Sequence, residues 1–457
     1  MAVAMTKAAL SKKTPVAPSA ATPPATRPRS AVSSGVGIAG LVGLIGWFLV
    51  ARAYGMNGEH SALASVVVTG VVMAAWSVFV DKVHRNPSTG IDWSMRRDWA
   101  EVNDIAPTKL LGLWATWAVI GFVYCVLRYY WAGQYAFSMK WLGYALAPML
   151  LFSIPYVLWL DRRLEEPRDG AWHFGHWLLG GEEFDLDKIW RHWRAWLVKG
   201  FFTAFMVSIV PGNFIHLILP SWEEIFANPV KFAGFGIGFF YLIDVHFATV
   251  GYILTMRPLD AHIRTANPYG MAWVAALACY PPFVLMNPGG PLFYEQDARG
   301  WNWWFEAWQV PVAGWWIWGS MLVILTAIYA WATVAFGIRF SNLTHRGVIT
   351  HGPYQFTRHP AYLAKNTFWW ASSLVILPWD GSVITAFRNV MLLSAVSGIY
   401  YWRAKTEERH LLADPDYRAY WDWAQEHAVV PRLFARLTGL ARPVIVLEPD
   451  DRVGPVT

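Results

Sequence analysis

The sequence predicts an all-α, polytopic integral membrane protein with about ten transmembrane helices, and three observations predict it. Hydrophobic residues make up 55% of the chain and charged residues only 15%, a balance that suits lipid as the solvent. Thirty tryptophans and nineteen tyrosines exceed what a water-facing fold uses, whereas such rings collect at both bilayer interfaces. Apolar runs long enough to cross a ~30 Å hydrocarbon layer, about 20 helical residues each, recur along most of the chain.

Residues 1–35 hold five Lys or Arg, no acid, and many Ala, Ser, Thr and Pro. Such a stretch buries too little apolar surface to order itself and reads as a disordered basic cytosolic tail. The same composition also suits an organelle transit peptide. The apolar runs then lie near 36–54, 61–81, 109–130, 137–160, 195–219, 230–256, 269–288, 310–337, 361–379 and 384–402. Pro155 and the Pro281-Pro282 pair are expected to kink or shorten two of them. The division that follows is an eight-span membrane region over 36–337, a two-span region with cytosolic helices over 338–436, and a tail over 437–457.

Charge placement orients this arrangement. With both termini cytoplasmic, all but six of the 37 Lys and Arg fall on the cytosolic side, the six being Arg52, Arg128, Lys140, Lys231, Arg299 and Arg388. A bacterial inner membrane and an endomembrane both satisfy this rule. Glu223 and Glu224 fall in an outer loop, and Trp301, Trp303 and Trp304 sit where an outer interfacial anchor belongs. The net charge of +6 is spread over the ends of apolar segments, so nucleic acid is not an expected partner and the lipid bilayer is. Cys125 and Cys279 both lie in apolar runs, which leaves no disulfide framework and no Cys-ligated metal site.

Chemistry is expected between His345 and Arg432. The connection HRGVITHGPYQFTRHPAYLAKN, His345 to Asn366, is dense in donors and rings. Gly352-Pro353 should turn the backbone, and Pro360 suits the first turn of a helix, which clusters Arg358, His359 and Tyr362 at its start. A helix N-terminus beside Arg favours an anion or a ligand carboxylate. The last span continues as YYWRAKTEERHLLADPDYRAYWDW; Arg403 and Glu407, four apart, are placed to pair on one face, leaving Glu408 free for a ligand. An ordinary cytosolic loop and a solvated helix face are the plainer readings of these two stretches.

These residues carry a resemblance. GPYQFTRHPAYL followed after a hairpin of spans by EERHLLADPDYRAYW resembles the isoprenylcysteine carboxyl methyltransferase (ICMT) family and its broader kin, the phospholipid methyltransferases. The resemblance covers about the last 130 residues. It implies a methyltransferase that binds S-adenosyl-L-methionine through His351, Gly352, Tyr354, Arg358, His359, Tyr362, Glu407 and Glu408, with Arg358 and Glu408 catalytic and no metal. Arg358 would face the ligand carboxylate, Glu407 or Glu408 its amine or ribose hydroxyls, and Tyr354 or Tyr362 its cationic sulfur. The acceptor would be a lipidic or prenylated molecule.

Asp244 and His246 lie inside the sixth apolar run and are candidate substrate-pocket residues, because polar groups at that depth are costly. A hydrogen bond between helices, with Asn213 and His216 as partners, is the structural alternative. This region weakly resembles the membrane sterol reductases, which implies an alternative: hydride transfer from NADPH, with Asp244 or a nearby Tyr as proton donor. A transporter is the third class, motivated by the span count together with Asp244, His246 and His216 at membrane depth.

Overall fold

The computed structural model describes residues 26–295, 300–377 and 381–438. The first 25 residues of the expected N-terminal tail, Arg299, and the C-terminal tail from residue 439 on lie outside these. The fold is all-α. Helices α1 (Ser34–Ala53), α2 (Glu59–Ala75), α3 (Trp99–Val126) and α4 (Tyr135–Asp161) are followed by the short α5 (Gly170–Leu178) and the long α6 (Leu186–Ile218). Next come α7 (Trp222–Phe226), α8 (Pro229–Ile253), α9 (Gly270–Leu277), α10 (Gly300–Ala307) and α11 (Val312–Phe336). The chain ends with α12 (Pro360–Ser373), α13 (Val383–Leu411), α14 (Pro415–His427) and α15 (Val429–Thr438).

Among the described residues eight helices, not about ten, are long and apolar enough to cross a membrane: α1, α2, α3, α4, α6, α8, α11 and α13. The two runs that differ have local causes. The 269–288 run is helical only over the eight residues of α9, which stops short of Pro281-Pro282, where two ring nitrogens carry no N–H. The 361–379 run forms the 14-residue α12, about 21 Å long and short of a full crossing. Pro155, in contrast, stays within the unbroken 27-residue α4.

Helix α8 is the axis of the bundle. Every residue from Leu242 to Tyr252 is buried, so the helix is enclosed all round. It packs against α11, α6 and α2. Gly319 of α11 comes close to Pro229 and Ala233 at the start of α8, while Gly251 near its end lies against the Phe340 carbonyl just past α11. The two helices therefore run in the same direction, and the chain between them must travel back along the bundle. It does so through α9, an irregular stretch and α10. Irregular backbone at that depth has to satisfy itself, and here Leu285 N donates to Ala278 O (3.1 Å) and Leu292 N to Leu285 O (2.9 Å). Trp301 and Trp304 of α10, expected as interfacial anchors, are buried with Phe305 in a cluster that includes Ala233 and Leu322.

Where α8 and α11 end, their last carbonyls would be orphaned. Arg346 collects them. Its buried guanidinium donates to the carbonyls of Gly251 (2.8 Å), Phe340 (2.9 Å), Leu254 (3.2 Å), Ile338 (3.2 Å) and Ala261. Arg339 extends the cluster, donating to Arg346 O at 2.8 Å and to Asp260 at 2.7 Å; Asp260 also accepts from Asn86 (2.9 Å) and Ser88 (2.8 Å). A two-residue ladder beside it, β1 (Thr265–Ala266) with β2 (Thr344–His345), ties the two loops together.

Residues 26–35, within the stretch expected to be a tail, lie against the rest of the protein. Ala31 N donates to Val348 O (2.8 Å), Thr350 Oγ1 to Pro28 O (2.7 Å), and Arg27 Nη1 to Gln355 (3.0 Å), with Arg27 also over the ring of Trp423. This Pro- and Ser-rich segment forms no core of its own and takes its order from the polar loop it lies on.

Arg346→Leu would leave several carbonyls without a donor at ~1–3 kcal/mol each, so a loss of at least about 3 kcal/mol is expected. It is read as a lower thermal midpoint in detergent. Arg346→Lys should fail to restore it, because an ammonium offers three donors from one point in place of a planar fork.

Candidate functional site

The turn predicted at Gly352-Pro353 is present. Gly352 has φ of +62°, a value favourable to glycine, and its backbone lies against Trp331 and Ala335. The turn carries Tyr354 edge-on to Phe336, and the Tyr354 carbonyl accepts from Tyr420 Oη at 2.7 Å. Pro360 opens α12, with His359 just before it. Helix α13 runs unbroken through Leu411, nine residues past the span expected at 384–402, and so carries Glu407 and Glu408 to the α12 start. Asp414 caps α14, accepting from Asp416 N (2.7 Å) and Tyr417 N (3.2 Å), which sets Tyr417, Tyr420 and Trp421 into the core.

Between these elements lies a cavity of ≈ 170 Å³, far more than the ~10–15 Å³ that one water needs. Its wall includes Arg358, His359, Tyr362, Glu407, Arg403 and Tyr417. Both carboxylates are engaged, which corrects the expectation that Glu408 stays free. Glu408 is buried outside the wall and holds three side chains: Arg358 Nε at 2.9 Å, His359 Nε2 at 3.0 Å and Lys405 Nζ at 2.9 Å. Glu407 is the one facing the cavity; it accepts from Tyr362 Oη and lies 3.8 Å from Arg403 Nε.

Two guanidinium N–H groups of this wall, Arg358 Nη1 and Arg403 Nε, are buried and have no hydrogen-bond partner among the described residues. Arg358 lies 4.7 Å over the ring of Trp421. Arg403 sits among Tyr362 (5.2 Å), Tyr280 (5.5 Å) and Tyr400 (5.5 Å), and donates to Asn342 Oδ1 at 3.0 Å. Asn342 is fixed in turn by Tyr252 (2.9 Å) and Tyr280 (3.1 Å). Burial pushes the phenols of Tyr354, Tyr417 and Tyr420 up, so all three are neutral hydrogen-bonding rings.

Other predicted positions fall elsewhere. His351 and Gly352 shape the loop from outside the cavity wall, and His351 Nδ1 pairs with Ser30 Oγ at 2.8 Å. His246 faces α2, with Nε2 2.7 Å from Ser65 Oγ and Nδ1 2.8 Å from Leu242 O, away from the cavity. Asp244 lies behind the wall and accepts from Tyr329 Oη (2.7 Å) and Thr333 Oγ1. The two are bonded between and within helices as the structural alternative has it, but through these partners; Asn213 donates to Ile209 O instead.

Sequence reasoning missed several wall residues: Asn267, Tyr280, Tyr329, Asn342 and Lys365. Lys365 did carry a signal, a lysine within an apolar run. Tyr280 and Asn267 carried none, since only the long return between α8 and α11 brings them there.

Residues 317–413 match the model of the Isoprenylcysteine carboxyl methyltransferase (ICMT) family. This region is ICMT-like. The match begins within α11, earlier than the boundary expected at 338, and ends before α14, so it contains Arg358, His359, Tyr362, Glu407 and Glu408 but not Tyr417 or Tyr420. None of the comparisons matches the chain to a sterol reductase. No curated protein and no solved structure matches the chain. The ICMT-like region supports a membrane methyltransferase.

His345, in the cavity wall, has its pKa pushed down to about 4, chiefly by burial, which outweighs the opposing pull of Asp414. It is neutral in the fold, whereas the unfolded chain takes up its proton near pH 6.5. Stability from this group is therefore complete above about pH 6.5 and falls as the pH drops toward 4. The thermal midpoint in detergent should decline over that window, and His345→Gln should flatten the decline.

Proposed function

We propose that the protein is an S-adenosyl-L-methionine-dependent methyltransferase whose acceptor is a lipid-like molecule reaching the cavity from the bilayer. The observation that carries this reading is the unpaired, buried Nη1 of Arg358 in a cavity wall that also presents Glu407, inside the segment matching the ICMT family. Arg358 suits a ligand carboxylate, Glu407 suits an amine or ribose hydroxyls, and the rings of Tyr354, Tyr362 and Tyr417 suit a sulfonium. The bound cofactor would supply an electrophilic methyl group.

The residues of the chain divide the remaining work. Glu408 is a positioning residue in this reading: it holds Arg358 and His359 in place from outside the wall. The enclosing tyrosines exclude water, which strengthens each charge interaction inside. Alignment of nucleophile and methyl group near ~3–3.5 Å is the chief contribution such a site makes. A carboxylate acceptor needs no base, whereas an amine would have to give up a proton. His359, 24% exposed and held by Glu408, is then the group nearest that task among those named.

Calorimetric titration of the detergent-purified protein with S-adenosylhomocysteine tests the proposal. Wild type should bind it, and Arg358→Met and Glu407→Gln should each weaken binding about tenfold or more, as expected for a hydrogen bond to a charged group worth ~1.5–3 kcal/mol. Glu408→Gln should also weaken it, because it frees Arg358 to move. Binding of NADPH with none of the homocysteine analogue would overturn the reading.

A further inference from the structure

The far side of the cavity holds a cation that methyl-donor binding does not use. Lys365 lies five residues beyond Pro360 on α12, about 7.5 Å further along the helix axis. It lines the cavity with its ammonium 5.2 Å from the ring centre of Tyr329, 5.3 Å from that of Trp369 and 5.7 Å from that of Tyr400. Ring faces attract a cation but give its N–H groups no lone pair to bond. Among the described residues no hydrogen bond and no ion pair reaches this ammonium. Asp244 interacts with it through space only, and the Asp244 oxygens already accept from Tyr329 and Thr333.

Lys365 is half-buried, and where its ammonium opens on the cavity no group of the described residues accepts from it, so an anionic oxygen placed there would add charge-assisted hydrogen bonds that the fold does not itself supply. The side on which an acceptor could enter is the cavity itself. A ligand that supplies an anionic oxygen there completes the hydrogen bonding of Lys365 and leaves its apolar remainder among Trp369, Tyr400 and their neighbours. A cationic head at this end would meet Lys365 as a like charge, the charge of Arg403 being offset by Glu407 at 3.8 Å, and a neutral hydroxyl would gain less from Lys365 than an anion does.

We infer that Lys365 is a specificity-determining residue that anchors the polar end of the acceptor lipid and selects heads bearing an anionic oxygen over neutral or cationic heads on the same tail. That it is the acceptor which binds here rests on the methyltransferase reading; the head selectivity rests on Lys365 and its surroundings alone.

The full-length protein in nanodiscs is titrated with oleate, oleyl alcohol and oleylamine, which share one tail and differ in head charge, and separately with S-adenosylhomocysteine. Wild type should bind oleate at least about tenfold more tightly than the alcohol or the amine. Lys365→Met should bring oleate down to the affinity of the alcohol, and Lys365→Arg should keep most of the preference. Both variants should retain wild-type affinity for S-adenosylhomocysteine, which reports an intact fold and separates this residue from the Arg358 cluster. Equal binding of the three probes by wild type overturns the inference, as does an unchanged oleate preference in Lys365→Met. A wild type that discriminates among the heads yet fails to bind S-adenosylhomocysteine would instead sink the methyltransferase reading.

Discussion

The guanidinium of Arg346 is the interaction on which the site depends. It gathers carbonyls from the end of α8, from the loop after it and from the chain leaving α11, groups that would otherwise be buried without donors. Two parallel helices whose ends carry like partial charges would not by themselves prefer to finish side by side. A planar cation with five N–H donors resolves that conflict, and a lysine could not, because its donors radiate from one atom. Once these ends are fixed, the segment from Ser341 to Ile349 is fixed too, and with Tyr354 it forms one wall of the cavity.

The opposite wall is organised by Glu408. One buried carboxylate is shared by an arginine, a histidine and a lysine, so its position is set from three directions. The arrangement engages Glu408 fully and leaves Arg358 partly unengaged: the guanidinium is held by Nε and kept over Trp421, while Nη1 has no partner among the described residues. Adjacent positions on α13 thus take different parts, since successive residues on a helix point about 100° apart. Glu407 turns to the cavity and Glu408 to the cluster behind it.

Much of the site was legible because its motifs are local. Gly352-Pro353 and Pro360 announce a turn and a helix start within one short connection, and the spacing of Arg403, Glu407 and Glu408 announces a helical face. Residues 27–31 differ from the expected tail because composition speaks only to what a segment does alone; they are held by hydrogen bonds to Val348, Thr350 and Gln355, some 320 positions away. His246 and Asp244 were singled out by depth, a correct sign of polar partners, but the partners are Ser65 and the Tyr329 and Thr333 hydroxyls. Hydropathy likewise counted the runs around α9 and α12 as spans, because a window average registers apolar content and not whether the backbone stays helical.

The sequence by itself determined the class of the molecule and the stretch that holds the candidate site: lipid as solvent follows from composition and run length, and the dense polar residues lie in a connection between two apolar runs. Tertiary structure decided which side chains face the cavity. Tyr280, Asn342 and Lys365 meet Arg403 and Glu407 only because the return from α8 to α11 and the start of α12 converge on α13, contacts between residues far apart in the chain. Periodicity fixes the face of a helix on which a residue lies, but the neighbour that face meets is set by packing, and the roles of Glu407 and Glu408 were separated at that level.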